Sequence, residues 1–566
     1  MRGVCFASLL CLMASASLDA AEITKQIPGD AYGYIAVSDA QALDSKIQTL
    51  GQRMQLPIPS FLGMMATQPD VAKTLDTTGT TVVAFLPAEN PDERHVSIVV
   101  VVPVNDYDGL KGQLENASNE SGITEGLFNG KKLCLAKKGT HAIVAQTEDR
   151  FALEKVLKYE VSSGSEIAQP ENEYDIALLM TTHGLEEVTV AAQQGLREMM
   201  RVFAEQAGED NPALAGLRMY DNMFTYMREE LDAFSVTLRI DESSSLRVTK
   251  NLWVKPTSQF ASLLKDIPDS RKDLLPGIPD GPFVVAVGAT IPEGGFKKML
   301  DLSAVMMRSM PQVYNMTPTQ IDQMIELSKK YFKSFDGMAF VLGVGEPGTP
   351  VYGKAAVTMV VPDANQYLDD YVSYWNELEA KMEGADIPFL DGINVEEVTL
   401  QGHRALKITM PFDQMTQVPP EQKAMVNAMM VKMFGANELV MYAGAVDAKT
   451  VLIGYTSPDM LVAAWESDGK SASLSESEYI KTTSAMLPSS PQFVGYWSPS
   501  GTATFASQLI SEISPQGFQL PEFPATPPVG WTVEIKSGQV EANAVIPVEV
   551  FEAAGKFASG FIKMRN

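Results

Sequence analysis

Beyond its first eleven residues this chain has one cysteine, Cys134; the other two, Cys5 and Cys11, lie in an N-terminal apolar run. A lone thiol closes no internal disulfide and cannot supply a cysteine-based zinc site, so the fold must be held by its core. Cys134 sits in the alternating run KKLCLA and is expected to be a small buried apolar residue. Histidine is nearly as scarce. His95, His141, His183 and His403 show no i, i+4 pairing, and packing or surface roles are expected of them. No cofactor is indicated. Basic residues are outnumbered, 44 Lys and Arg against 70 Asp and Glu, for a net charge of −26. Such a field repels phosphate backbones, which argues against nucleic acid as a partner. In so acidic a chain, adjacent pairs such as Glu186-Glu187, Glu229-Glu230 and Glu396-Glu397 are expected to be solvated surface. No G-x-S-x-G elbow and no G-x-x-x-x-G-K-[ST] loop occurs.

Long apolar runs are also missing after the N terminus. The greasiest segment, HVSIVVVVPV from His95 to Val104, is strand-length and too short to span a bilayer. The N terminus itself reads MRGVCFASLLCLMASASLDAAE. One Arg, an apolar run and then small residues make the three-part pattern of a secretory signal peptide, expected over residues 1–21. Cleavage is expected after Ala16, Ala20 or Ala21. The remainder, with 45% hydrophobic and 20% charged residues over the whole chain, has a globular balance. A soluble protein of the periplasm or the cell exterior follows, with no transmembrane anchor once the signal is removed.

The clearest positive feature is a repetition. IPGDAYGYIAV begins at Ile27, and IPDGPFVVAVGA begins at Ile278, 251 positions later. Each phrase opens the same series: strand, helices, two Val-rich strands, a helix, further strands, a helix, a strand, a variable insert and a closing strand pair. Pro103 and Pro362 close matching strands. The expected fold is α+β, in two tandem related modules over 22–270 and 271–566. Each is expected to be a largely antiparallel sheet with helices on one face and ferredoxin-like elements. The phrases Ile27–Val37 and Ile278–Val287 resemble a strand of the LPxDTxxYxxV type, which opens α/β units in a loose group of exported bacterial proteins of unknown function. The second copy departs from it, with Phe283 and Val285 at the tyrosine positions. The resemblance implies export and repeated α/β units, and no activity.

The copies differ by what is inserted in them. The first has a helical insertion over 184–231, and the second an extra helix over 419–435. Met219, Met223 and Met227 share one helix face in the first, as Met425, Met429 and Met433 do in the second. Either stripe could be adaptable core or a groove for an apolar ligand or protein partner. Binding or scaffolding is the leading expectation. The alternatives are an extracytoplasmic hydrolase with a site formed between modules, and a structural component of an extracytoplasmic layer.

Overall fold

The computed structural model describes residues 23–565 except 66–68, 91–95, 161–172, 208–211, 265–270, 272, 293, 310–315, 333, 383–391, 412–419, 468–472, 514–519 and 537. The expected signal segment therefore lies outside the described residues, as does His95. The chain divides into two compact units, Met1–Lys265 with Lys536–Asn543, and Asp266–Ile535 with Ala544–Asn566. The division falls before the expected residue 270, and the first unit takes in a short segment from far down the chain.

In unit 1 the strands are β1 (Gly33–Val37), β2 (Thr81–Pro87), β3 (Val96–Pro103), β4 (Glu115–Glu120), β5 (Ile123–Phe128), β6 (Lys131–Lys138), β7 (His141–Gln146), β8 (Ile176–Met180), β9 (Leu231–Ile240) and β10 (Leu246–Val254). The helices that matter below are α1 (Ala40–Arg53), α2 (Tyr107–Lys111), α3 (Arg150–Lys158), α4 (Thr182–Ala207) and α5 (Pro212–Glu230). The strands pair antiparallel throughout, in the order β4-β5-β6-β7-β3-β2-β1-β8-β9-β10.

Unit 2 has β11 (Phe283–Thr290), β12 (Gly337–Gly343), β13 (Ala355–Val360), β14 (Asn394–Leu400), β15 (His403–Pro411), β16 (Glu438–Ala445), β17 (Thr450–Tyr455), β18 (Phe493–Trp497) and β19 (Val529–Lys536), while β20 (Gln539–Ile546) begins in unit 1 and ends in unit 2. Its helices include α6 (Gly295–Ser309), α7 (Pro318–Tyr331), α8 (Ala364–Met382), α9 (Pro420–Phe434), α10 (Asp459–Glu466) and α11 (Pro499–Ile513). The order is β14-β15-β16-β17-β13-β12-β11-β18-β19, again antiparallel. Position by position, this is the order of β4 to β9 in unit 1. Even the turn of the outermost hairpin matches. Ser121-Gly122 joins β4 to β5 and Gln401-Gly402 joins β14 to β15, all four with positive φ, the pairing that suits the twist of a two-residue hairpin.

Two expectations are corrected. Helices cover both faces of each sheet, not one. On one face of unit 1, Tyr34, Val82, Val99, Ile143 and Leu179 pack with Ala152, Leu153 and Val156 of α3. On the other, Val102, Leu135 and Val144 pack with Tyr107 and Leu110 of α2, while Val37 and Ile240 pack with Leu43 of α1. Unit 2 divides likewise, with α10 on one face and α8 on the other. The physical reason lies in the Val run of β3. Residues of both parities from Val99 to Val102 are buried, which only a strand covered on both sides can achieve. Nor is the ferredoxin-like crossover present, since it places one strand between the two that a helix joins. Here three intervene: β5, β6 and β7 between β3 and β4, and β1, β2 and β3 between β7 and β8.

Candidate functional site

The methionine stripes come first, because the sequence singles them out. Met219, Met223 and Met227 lie on α5, and Met425, Met429 and Met433 lie on α9. The side chain of Met219 is not among those described. Met223 is exposed and Met227 half-buried; Met425 is 69% exposed, Met429 54%, and Met433 half-buried. None of them lines a cavity described below. Helix α9 has no buried residue among its described side chains, so its methionines are not a core stripe. Its C-terminal end is anchored: Tyr352 stacks on Phe434 at 5.0 Å, and Tyr352 N donates to Met433 O at 3.0 Å.

The concavity of interest is in unit 1, beneath α4. This helix starts where β8 ends, and its start is built with little freedom. Thr181 Oγ1 accepts from Gly184 N at 3.1 Å and donates to Ala31 O at 2.6 Å. A Cβ on Gly184 would stand 1.8 Å from the Tyr32 carbonyl oxygen, so only glycine lets the helix leave this close to β1. One face of α4 is then buried through Leu185, Thr189 and Gln193. Gln193 Nε2 donates to Asp221 O at 2.9 Å and to Thr225 Oγ1 at 2.7 Å on α5, and Arg197 pairs with Asp221 at 3.1 Å. Helix α5 thus clamps α4 from behind.

The other face of α4 carries Gly184, Glu187, Val188, Ala191 and Gln194, at helical spacing. With Tyr32, Phe85, Val96, Leu178 and Met180 from the strands and the approach to β1, it lines an open groove of ≈ 470 Å³. The lining includes the small residues Ala191 and Gly184 on the helix, and Gly33 on β1. Val188 is 52% exposed and Val96 45%, an apolar surface left without cover. The polar groups are few. Glu187 is the acidic residue of the lining, and Gln194 and the Tyr32 hydroxyl accompany it. Burial first, and the charge of Glu187 second, raise the Tyr32 hydroxyl above its ordinary pKa. His183 stacks on Tyr32 at 5.3 Å. The sequence pointed to the 184–231 stretch, but not to this face of its first helix.

Unit 2 has the same helix start with bulkier residues following it. Ser498 Oγ accepts from Gly501 N at 3.0 Å, and a Cβ on Gly501 would stand 1.8 Å from the Phe283 carbonyl oxygen. Counting from that glycine along α11, Thr504 stands where α4 has Glu187, Phe505 where it has Val188, and Gln508 where it has Ala191. Gln508 Nε2 donates to Gly345 O at 2.7 Å and ties the helix to the segment after β12. A second concavity in unit 2, ≈ 390 Å³, is lined by Arg271, Glu476, Ser484 and Tyr496 among others. There Ser484 Oγ meets the Tyr496 hydroxyl at 2.6 Å, and burial raises that hydroxyl's pKa. A tyrosine held in its neutral form is not a general base for the serine.

The other chemistry-bearing residues are placed as packing groups. Cys134 is fully buried, and burial first, then Glu125, push its thiol up to about 12. His403 stacks on Trp465 at 4.6 Å, and His141 meets Thr140 Oγ1 at 3.2 Å. The solvated surface expected of the acidic pairs fails for Glu230, which is buried. Among the described residues no group of three or more His, Cys, Asp or Glu could hold a metal, and no helix is long and apolar enough to cross a membrane. No G-x-G-x-x-G is expected after a strand, yet Gly343-Val344-Gly345-Glu346-Pro347-Gly348 has that spacing directly at the end of β12. It leads through a turn into the antiparallel β13, so no helix N terminus follows to receive a phosphate. No family model matches the chain, and no curated protein or solved structure is found similar to it.

Proposed function

We propose that this is an exported binding protein made of two related α+β units, and that the groove under α4 in unit 1 holds an apolar small molecule. The identical strand order supports the relation between the units. So does a repeated lock beside β1 and β11. Ser38 N bonds Asp175 O at 3.0 Å, and Asp175 Oδ2 accepts from Ile240 N at 2.6 Å. In the second unit Thr290 N bonds Gln492 O at 2.8 Å, and Gln492 Oε1 accepts from Ile535 N at 2.8 Å. An acceptor on one side chain satisfies the same backbone donor in both. Export is consistent with where the core starts: Ile23 is 2% exposed, so a cut after Ala16, Ala20 or Ala21 leaves it in place.

The observation that carries the binding function is the contrast between α4 and α11. The same scaffold position is open and apolar in one unit, and bulkier and hydrogen-bonded across in the other. A groove of this volume falls in the range of small-molecule sites, roughly 300–1,000 Å³. The test imports the second unit's residues into the first. Val188→Phe with Ala191→Gln is expected to abolish binding of a neutral apolar dye such as Nile red, measured by fluorescence titration, with the melting temperature preserved. Equal dye affinity in the two proteins would refute the site.

A further inference from the structure

We infer that the groove selects an apolar molecule bearing one positive charge, of the alkylammonium or alkylamine class. This inference rests on the binding function proposed above and specifies its ligand. Glu187 faces the groove, and among the described residues it has no cationic partner; no Lys or Arg lines the space. The aromatic rings of Tyr32 and Phe85 share the lining, and ring faces attract cations, alkylated ammonium groups in particular. Burial first, and Glu187 second, raise the Tyr32 hydroxyl above its already high ordinary value, so at neutral pH it adds no second anion to the site. The apolar remainder, Val96, Leu178, Met180 and Val188, suits an alkyl tail. Unit 2 supplies an internal comparison. Where α11 is tied across, the residue in Glu187's place is the neutral Thr504, so the charge accompanies the open groove. The net charge of −26 also raises the local concentration of cations around the whole molecule.

The experiment is calorimetric titration of the full mature chain at pH 8 and low salt. Three probes share one tail and are kept below their micelle-forming concentrations: decyltrimethylammonium, decanol and decanoate. One equivalent of the ammonium probe should bind about ten-fold more tightly than decanoate. Glu187→Gln should shrink that gap about five-fold while leaving decanol affinity unchanged. Equal affinity for the three probes would overturn the charge selection and leave the groove standing. No binding by any of them would overturn the groove as well. Ammonium binding that persists in Val188→Phe/Ala191→Gln would be adsorption to the acidic surface, and would overturn the inference too.

Discussion

At the scale of single residues, two glycines at the starts of matching helices are chosen for space, not for backbone freedom. Gly184 and Gly501 each stand with a neighbouring carbonyl oxygen where a Cβ would need to be. Such a clash with backbone cannot relax by a rotamer change, so Gly184→Ala is expected to cost roughly 1–3 kcal/mol in urea unfolding. Gly195, on the same helix, has nothing within 4 Å of a built Cβ. There the helix preference of alanine acts alone, and Gly195→Ala should stabilise by up to about 1 kcal/mol. Opposite signs from one substitution on one helix separate packing from propensity; equal effects would contradict the close approach at Gly184. A buried exchange shows the same logic across units. Tyr34 faces Leu179 in the first; in the second an irregularity between Phe283 and Val285 puts Ala286, not Val285, in its place, facing Tyr496. The large ring has changed strands and the core remains filled, which is why the missing tyrosine at the second opening phrase does not signal a lost structural role.

At the scale of elements, turns and strand faces decide what could be read in advance. The β9–β10 turn is held by Asp241. Its Oδ1 accepts from Ser243 Oγ at 2.6 Å and Ser245 N at 3.0 Å, and its Oδ2 from Arg247 Nε at 3.2 Å. Partial burial alone would raise this carboxyl, but the donors together outweigh it and the folded pKa is lowered. A lowered folded value means the ionised form stabilises the fold above the unfolded pKa of about 3.9. That contribution is lost as the pH falls through the lower folded value. Asp241→Ala should therefore cost about 1–2 kcal/mol at pH 7 and much less at pH 3, compared by urea midpoints. An equal cost at both pH values would mean the carboxylate charge is not involved.

The order of such elements was legible, because matched strand phrases 251 residues apart carry their neighbours with them. The two-faced burial of β3 was also in view in its unbroken Val run, though helices on one face were expected. The groove was not legible. Val188 and Ala191 are ordinary helix residues, and they matter only because the fold sets them opposite Phe85 and Val96. Methionine spacing pointed to faces on α5 and α9, but spacing says nothing about whether a neighbour arrives to cover a face.

At the scale of the whole molecule, the segment Lys536–Asn543 has the most consequence, since unit 1 holds it although it is distant in sequence. Val254 N donates to Gly538 O at 2.9 Å, and Thr249 Oγ1 bonds Asn543 Oδ1 at 2.8 Å. Gln539 Nε2 donates to Asn251 Oδ1 at 2.9 Å, with both amides buried. A fragment of residues 22–265 loses all of these partners at once. It would expose the β10 edge with its row of unpaired backbone groups, the template on which strands of other molecules add. It would also open the buried Asn251 amide. By contrast, the far edge of the same sheet is β4, ENASNE, whose residues are all exposed and polar or small, a composition that discourages such pairing. Self-association should thus arise at β10 and not at β4. Fragment 22–265 is expected to elute as oligomers in gel filtration and to melt at a lower temperature than the same fragment joined by a flexible linker to 536–546, which should elute as a monomer. Placing a lysine at Thr249 should reduce association of the short fragment, whereas a lysine at Ala117 should leave it unchanged. A monomeric short fragment with an unaltered melting temperature would show that the distant segment decorates unit 1 without completing it.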